Sequence, residues 1–253
     1  LRKLSKKFYN DLKKIDIDYA FMIDFKEIAK KSKKDISIFL NTVPKNFFKL
    51  CRIAVAPAML ESCLSISEQI SSQLSIDVAI NLMYSSEISE KRLLEICKCS
   101  SGRIAALYLA DSYGSMTPGE VSEKLLKMDD FDFMTGVHFH DNLGLSFANS
   151  LSAIKCNVDI VDSTISGMGR GVGNLKTEQI VTYLNLRENN NNFSIKHILD
   201  IVYKFNKIKE DHGWGWDIDY MASGCLNIHQ KNVISLREKN LKIHDIIESI
   251  VKE

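Results

Sequence analysis

The chain has 253 residues and a formal net charge of +1 at pH 7, so its charge gives no reason to expect a nucleic acid as a partner. Its content of 45% hydrophobic and 26% charged residues is ordinary for a globular protein, and no apolar run approaches the length that crosses a bilayer. The six cysteines lack redox or zinc-finger spacing and no secretion signal is recognisable, so we expect reduced thiols in a cytoplasmic protein without membrane association.

Six short apolar segments alternate with stretches of helical periodicity, and each is nearly continuous in apolar residues. The predicted strands are 19–24, 51–57, 76–83, 103–111, 134–140 and 158–165. Strands that helices cover on both faces have this character, so the alternation predicts repeated β–α–β units and a parallel sheet.

Two of the intervening helices carry clear local signals. Thr117, Pro118 and Glu120 form a capping-box sequence that predicts a helix start. A second helix is predicted from an apolar stripe at helical spacing, which consists of Leu143, Phe147, Leu151 and Ile154.

The character of the chain changes near residue 187, where a polar, asparagine-rich stretch follows. Beyond it, helical periodicity returns at 195–208 and again near the end of the chain. The sequence therefore predicts two regions, a barrel domain over 1–187 and a helical C-terminal region over 188–253.

Polar side chains gather where three successive predicted strands end. Asp111 and Ser112 end one strand, His138 and His140 end the next, and a glycine-rich loop after the last strand leads to Asn174. Active sites of parallel α/β folds lie at the carboxyl ends of the strands, so these residues are candidates for one common site.

The spacing of His138 and His140 favours a metal site, because residues i and i+2 of a strand point to the same face. Neutral imidazole suits Mn, Fe, Co or Zn, and a carboxylate or amide oxygen would complete a mixed shell. A single histidine in a strand is more often a packed residue than a ligand. Likewise, Asp111 and Ser112 could form a plain turn, and Arg170 could neutralise a substrate carboxylate or be a solvated charge.

Several stretches together resemble the superfamily of metal-dependent pyruvate aldolases and lyases (the DRE-TIM metallolyases), and are closest to its 4-hydroxy-2-oxovalerate aldolase branch. These stretches are GVHFHDNLGLSFANSLSAI, VDIVDSTISGMGRGVGN, YLADSYGSMTPGEV and VAINLMYSS, with a weaker similarity at YMASGCLNIHQ. The resemblance implies an α/β fold of the (β/α)8 TIM-barrel type with a helical C-terminal region.

The resemblance also implies the site chemistry. It makes His138 and His140 metal ligands, with Asn174 as a third ligand and Ser112 as a contact for the keto acid; His138 and Asp111 are further candidates for substrate binding. The expected cofactor is a divalent metal, with Mn²⁺ favoured over Mg²⁺, Co²⁺ or Zn²⁺. The implied reaction is cleavage of a 4-hydroxy-2-oxo acid to pyruvate and an aldehyde.

The chain departs from the family pattern at its start, because 19–24 corresponds to the third barrel strand. We therefore expect the first two β–α units, with an Asp ligand, an enolate-stabilising Arg and the catalytic base, to precede Leu1. Tyr220 is a weak candidate for the catalytic tyrosine of the aldolases, and the catalytic residues otherwise stay unknown.

Two other functions stay open: a Claisen-type acyltransferase of the same superfamily, and a catalytically inactive barrel remnant that acts as a binding protein. Beyond a small-molecule 2-oxo acid, the expected partners are further copies of the chain in a homo-oligomer and an aldehyde dehydrogenase that takes up the aldehyde.

Overall fold

A computed structural model describes residues 10–44, 46–188, 192–239 and 241–252. Within them, six parallel strands pair in chain order. The strands are β1 (Tyr19–Asp24), β2 (Phe48–Val55), β3 (Asp77–Leu82), β4 (Ala106–Asp111), β5 (Met134–Phe139) and β6 (Ile160–Val161). The helices are α1 (Phe25–Ile28), α2 (Lys33–Leu40), α3 (Leu60–Leu74), α4 (Glu90–Ser100), α5 (Pro118–Leu126), α6 (Ser146–Lys155), α7 (Thr177–Arg187), α8 (Ile195–His212), α9 (Ile218–Cys225), α10 (Gln230–Arg237) and α11 (Ile243–Val251).

The predicted parallel sheet with alternating helices is confirmed, and so is the capping box of α5, where Thr117 and Glu120 bond reciprocally. Two details differ. The strand predicted over 158–165 is reduced to the two residues of β6, because Thr164 instead bridges to Lys176 in the returning loop. Leu143 of the apolar stripe precedes α6, which starts only at Ser146, where the Asp141 carboxylate accepts the Ser146 backbone N–H.

The two faces of the sheet differ in chemistry because side chains alternate along each strand. The outer face is apolar and packs beneath the helices, as Cys51, Ile53 and Val55 of β2 do with no exposed surface. Burial of each such aliphatic side chain stabilises the fold by about 1.5–3 kcal/mol. The inner face is polar at its centre, and its residues include Arg52, Asn81, Tyr108, His138 and Asp162.

A side-chain contact across the inner face shows that the sheet curls into a barrel wall. Arg52 of β2 and Asp162, directly after β6, meet with 2.7 Å between Nη2 and Oδ2. In a flat sheet, four spacings between β2 and β6 would separate their backbones by roughly 19 Å. The described residues do not close the barrel: β1 has only β2 as a neighbour, and Met22 on its inner side is 50% exposed.

The C-terminal helices lie against the glycine-rich loop after β6. Val172 of that loop packs with Tyr220 of α9, Val233 of α10 and Ile246 of α11 in a separate apolar cluster. The Trp214 indole N–H donates to the Ser166 carbonyl at 3.0 Å, which ties the segment before α9 to the same loop. The division into two domains at residue 187 stays a prediction.

None of the described helices combines the length and the apolar character that a membrane span requires.

Gly136 of β5 lies directly under the Tyr108 ring, and a Cβ at this position would fall 2.5 Å from Tyr108 Cδ1. We therefore expect Gly136→Ala to lower the free energy of unfolding by about 1–3 kcal/mol, measured by urea denaturation. Gly119 in α5 is the matched control, since a Cβ there meets nothing within 4 Å. Gly119→Ala should raise stability by about 0.5–1 kcal/mol, and equal destabilisation by both variants would contradict this account of Gly136.

Candidate metal and substrate site

His138 and His140 lie together at the carboxyl end of β5, and their ring centroids are 5.2 Å apart. Their spacing of two residues places both rings on the inner face of the curled sheet. The backbone of His140 pairs with that of Asn174 in an isolated antiparallel bridge, and directly opposed residues of such a pair share a face. The structure therefore brings together the three residues predicted from the sequence to bind metal.

Each imidazole is anchored through its Nδ1 atom. His138 Nδ1 lies 2.8 Å from Asp162 Oδ2, and His140 Nδ1 lies 2.8 Å from the backbone carbonyl oxygen of Asp111. A carbonyl only accepts hydrogen bonds, so His140 Nδ1 carries the proton and Nε2 keeps its lone pair. A carboxylate or carbonyl behind the imidazole is the usual support of a metal-binding histidine.

Arg52 connects this anchor to the rest of the inner face. Its guanidinium forks onto both carboxylate oxygens of Asp162 at 2.8 and 2.7 Å, and its Nε and Nη2 donate to Asn81 Oδ1. The same group lies 3.8 Å above the centre of the Tyr108 ring. Burial alone would raise the pKa of Asp162, but the hydrogen bonds from His138 and Arg52 hold it below its usual range. Asp162 is therefore ionised at neutral pH and accepts the proton on His138 Nδ1.

Sequence reasoning missed this network of Arg52, Asn81, Tyr108 and Asp162. The available signal was an arginine within the otherwise apolar CRIAVAP segment, because a charge in a buried strand requires a partner. No pattern along the chain identifies that partner, which lies 110 residues away.

Burial, and then the neighbouring His138, lower the pKa of His140 to about 4. His140 is consequently neutral across the physiological range, which is the form that coordinates a metal.

The Asn174 side chain presents an unpaired oxygen. Its Nδ2 donates to the Met168 carbonyl at 3.0 Å, whereas its buried Oδ1 has no hydrogen-bond partner among the described residues. A Cβ on Gly169 would fall 2.6 Å from Asn174 Nδ2, so the amide fits only because position 169 has no side chain. A buried amide oxygen without a partner is costly unless a ligand satisfies it.

These residues fit a divalent metal: two imidazoles held through Nδ1 and one orphaned amide oxygen form a mixed N/O donor set. In the part of the chain that the structure describes, no cluster of three or more His, Cys, Asp or Glu side chains surrounds one point.

Asp111 and Ser112 lie beside the histidines but are engaged with the backbone. The buried Asp111 carboxylate accepts the N–H groups of Ser115 and Met116, and Ser112 Oγ accepts the Tyr84 N–H at 2.9 Å. Burial raises the pKa of Asp111 to about 6 despite these N–H donors. This arrangement favours a turn-stabilising role for the Asp111 side chain, and its carbonyl group is what reaches His140. The predicted substrate contact of Ser112 stays a prediction.

The other two sequence candidates, Tyr220 and Arg170, are not among these donors. Tyr220 is 4% exposed, with the Arg237 guanidinium 4.5 Å from its ring centre. Arg170 is exposed on the glycine-rich loop. The packing of Tyr220 favours a structural role over a catalytic one.

The Arg52–Asp162 ion pair should be energetically costly to break, since the side chains are only 14% and 20% exposed. We expect Arg52→Leu to lower the free energy of unfolding by about 3 kcal/mol, because it leaves the partly buried Asp162 carboxylate with His138 as its remaining partner. Adding Asp162→Asn to this variant should cost less than the two single losses combined. Urea denaturation measures all three variants.

Arg103→Leu is the control for that comparison, because the partners of Arg103, Glu61 and Glu68, are 74% and 54% exposed. Its loss should be about 1 kcal/mol or less. Equal losses at Arg52 and Arg103 would contradict the role assigned to the inner-face pair.

The metal-free protein should lose stability between pH 6.5, the ordinary pKa of the imidazole, and about pH 4, the folded value for His140. Within this window the unfolded chain binds a proton that the folded state excludes, so unfolding is favoured as the pH falls. His140→Gln should flatten this part of the stability curve, measured by thermal denaturation across pH. His244→Gln, at an imidazole that is 66% exposed, is the control, and identical curves for the two variants would refute the assignment.

Comparison with known proteins identifies relatives of this chain. Two relatives named 4-hydroxy-2-oxovalerate aldolase, from Shewanella pealeana and a Marinomonas species, are each 33% identical to the chain, over 137 and 175 residues. These matches cover 53% and 68% of the chain but 40% and 52% of the relatives, so the chain spans about half the length of the curated relatives it matches.

Solved structures share the fold. The N-terminal domain of a candidate aldolase from Bacteroides vulgatus superposes with a TM-score of 0.84 at 30% identity, covering 96% of this chain and 80% of that one. HMG-CoA lyase from Bacillus subtilis superposes with a TM-score of 0.62 at 18% identity, covering 83% and 76%, and at that identity the likeness concerns the fold alone. The HMGL-like family profile matches residues 11–204, and the chain therefore belongs to the HMGL-like family of α/β-barrel proteins.

Proposed function

We propose that this protein is a divalent-metal-dependent aldolase that cleaves a 4-hydroxy-2-oxo acid to pyruvate and an aldehyde. The observation that carries the proposal is the pair of imidazoles, each held through Nδ1, together with Asn174, whose backbone pairs with that of His140 and whose side-chain oxygen is orphaned. The aldolase names of the relatives agree with it.

The residue types match the demands of this reaction. Retro-aldol cleavage leaves the enolate of pyruvate, and a divalent metal held at this site would supply Lewis-acid stabilisation of that charge. His138, His140 and Asn174 would hold the metal, and the mixed N/O shell is compatible with Mn²⁺, which we favour, or with Mg²⁺, Co²⁺ or Zn²⁺. Asp162 and Arg52 keep His138 in one tautomer and orientation.

The inner-face ion pair also argues against an inactive remnant. A partly buried pair such as Arg52–Asp162 contributes little net stability, since desolvation offsets the attraction. The pair contacts the Nδ1 atom of His138. Its placement there is therefore better explained by orientation of a metal ligand than by maintenance of the fold.

The Asp ligand, the enolate-stabilising Arg and the base that takes the C4 hydroxyl proton are proposed to lie on strands before Leu1. We also propose a cytoplasmic location, a homo-oligomeric state and an aldehyde dehydrogenase as consumer of the aldehyde. The helical region over 188–253 is the proposed contact surface for that enzyme.

The full-length protein, supplied with Mn²⁺ and 4-hydroxy-2-oxopentanoate, should release pyruvate, measured by its enzymatic reduction. His138→Ala should lower metal content, measured by elemental analysis, and abolish pyruvate release, because it removes a ligand. His212→Ala, at an exposed residue at the end of α8, should leave both unchanged. Stoichiometric metal in the His138→Ala variant would show that the metal site is misplaced, and absence of pyruvate in the metal-loaded protein would refute the aldolase proposal.

A further inference from the structure

A polar cavity of about 470 Å³ opens at the end of the sheet where the candidate metal site lies. Tyr84, which follows β3, and Tyr113, which follows β4, form one wall with ring centroids 5.4 Å apart. His229 and Lys231, at the start of α10, form the opposite wall, and the rings of His229 and Tyr113 are 6.5 Å apart in an edge-on arrangement. The cavity therefore lies between the barrel loops and the C-terminal helices.

The backbone of Tyr84 adopts an unfavourable conformation. Its φ of 59° lies in the left-handed region, which costs a non-glycine residue on the order of 1 kcal/mol. The bond from its N–H to Ser112 Oγ at 2.9 Å holds this conformation. Strain of this kind is concentrated at functional sites, so it supports a binding role for the wall that Tyr84 forms.

This cavity adjoins the candidate metal site. Tyr113 is two residues beyond Asp111, whose carbonyl accepts the bond from His140 Nδ1. The positive charge of Arg170 acts on His140 and on His229 alike. His229, which lines the cavity, is also among the groups that act electrostatically on His140, so the cavity and the histidine pair are neighbours.

Three cations act on His229, and one of them, Lys231, lines the cavity. Burial, followed by the charges of Lys231, Arg170 and Lys26, lowers the pKa of His229. None of these three cations forms a salt bridge with another described residue. One acidic side chain, Glu87, interacts with the outer side of this wall through the Tyr113 hydroxyl.

His229 adds a neutral donor to these charges. Its Nδ1 accepts the Lys231 backbone N–H at 3.1 Å, so the proton of the neutral ring is on Nε2. An imidazole N–H beside an unpaired ammonium group is a donor set for a carboxylate.

We propose that this cavity binds a second carboxylate at the far end of the substrate, so that the preferred substrate is a dianionic 2-oxo diacid. The inference rests on the proposed aldolase function: the first carboxylate and the keto group lie at the metal site, and the segment released as the aldehyde extends towards Lys231. An aliphatic end group at this position would give the exposed Lys231 ammonium group and the His229 N–H no carboxylate partner.

The test compares binding of 2-oxoadipate with that of 2-oxohexanoate, and of 2-oxoglutarate with that of 2-oxopentanoate, to the Mn²⁺-loaded full-length protein by isothermal titration calorimetry. None of these compounds has the 4-hydroxyl group, so none is cleaved. At least one diacid should bind about tenfold more tightly than the monoacid of equal length, and added salt should reduce this advantage.

Lys231→Gln should remove most of the advantage of the diacid and leave the affinity for the monoacid unchanged, which also shows that the variant is folded. Lys239→Gln, at an exposed lysine just beyond α10, is the matched control and should behave as the unmodified protein. Equal affinities within both pairs, or an equal loss for both acids in Lys231→Gln, would refute the second-carboxylate site and leave the aldolase proposal intact. Absence of binding by any of these 2-oxo acids would refute both.

Discussion

The Arg52–Asp162 contact is the interaction on which the arrangement of the inner face depends. It joins the second strand to the residue that follows the sixth, across the inner face of the curled sheet. The same carboxylate holds the Nδ1 atom of His138. Asp162 consequently links the contact across the sheet to the orientation of this imidazole.

The glycine-rich loop and the C-terminal helices provide the second support. The loop places Asn174 beside His140, and Val172 in the same loop packs into the apolar cluster of α9–α11. The hydrogen bond from the Trp214 indole to the Ser166 carbonyl also holds the loop. The helical region is therefore part of the structure that positions the site, and it also contributes His229 and Lys231 to the adjoining cavity.

Local patterns in the sequence were sufficient for the sheet, the α5 cap and the approach of His138 to His140, because strand alternation and capping depend on near neighbours along the chain. The ends of β6 were not predictable in this way, since a bridge from Thr164 to Lys176 competes with the ladder. Arg52 and Asp162 were missed because their pairing depends on the curling of the sheet, which brings together residues 110 positions apart. The sequence identified Asp111 as a candidate site residue. Only the structure shows that its carboxylate stabilises the turn and that its carbonyl oxygen orients His140.

The two roles of Asp111 couple the opening of the turn to the orientation of His140. The carboxylate closes the turn through the amides of Ser115 and Met116, while the carbonyl oxygen orients His140. Local opening of the turn therefore releases the imidazole, and a ligand that fixes the imidazole must oppose opening by the same free energy. Ligand binding at the site should therefore increase the hydrogen-exchange protection of the Ser115 and Met116 amides, which contact no ligand themselves.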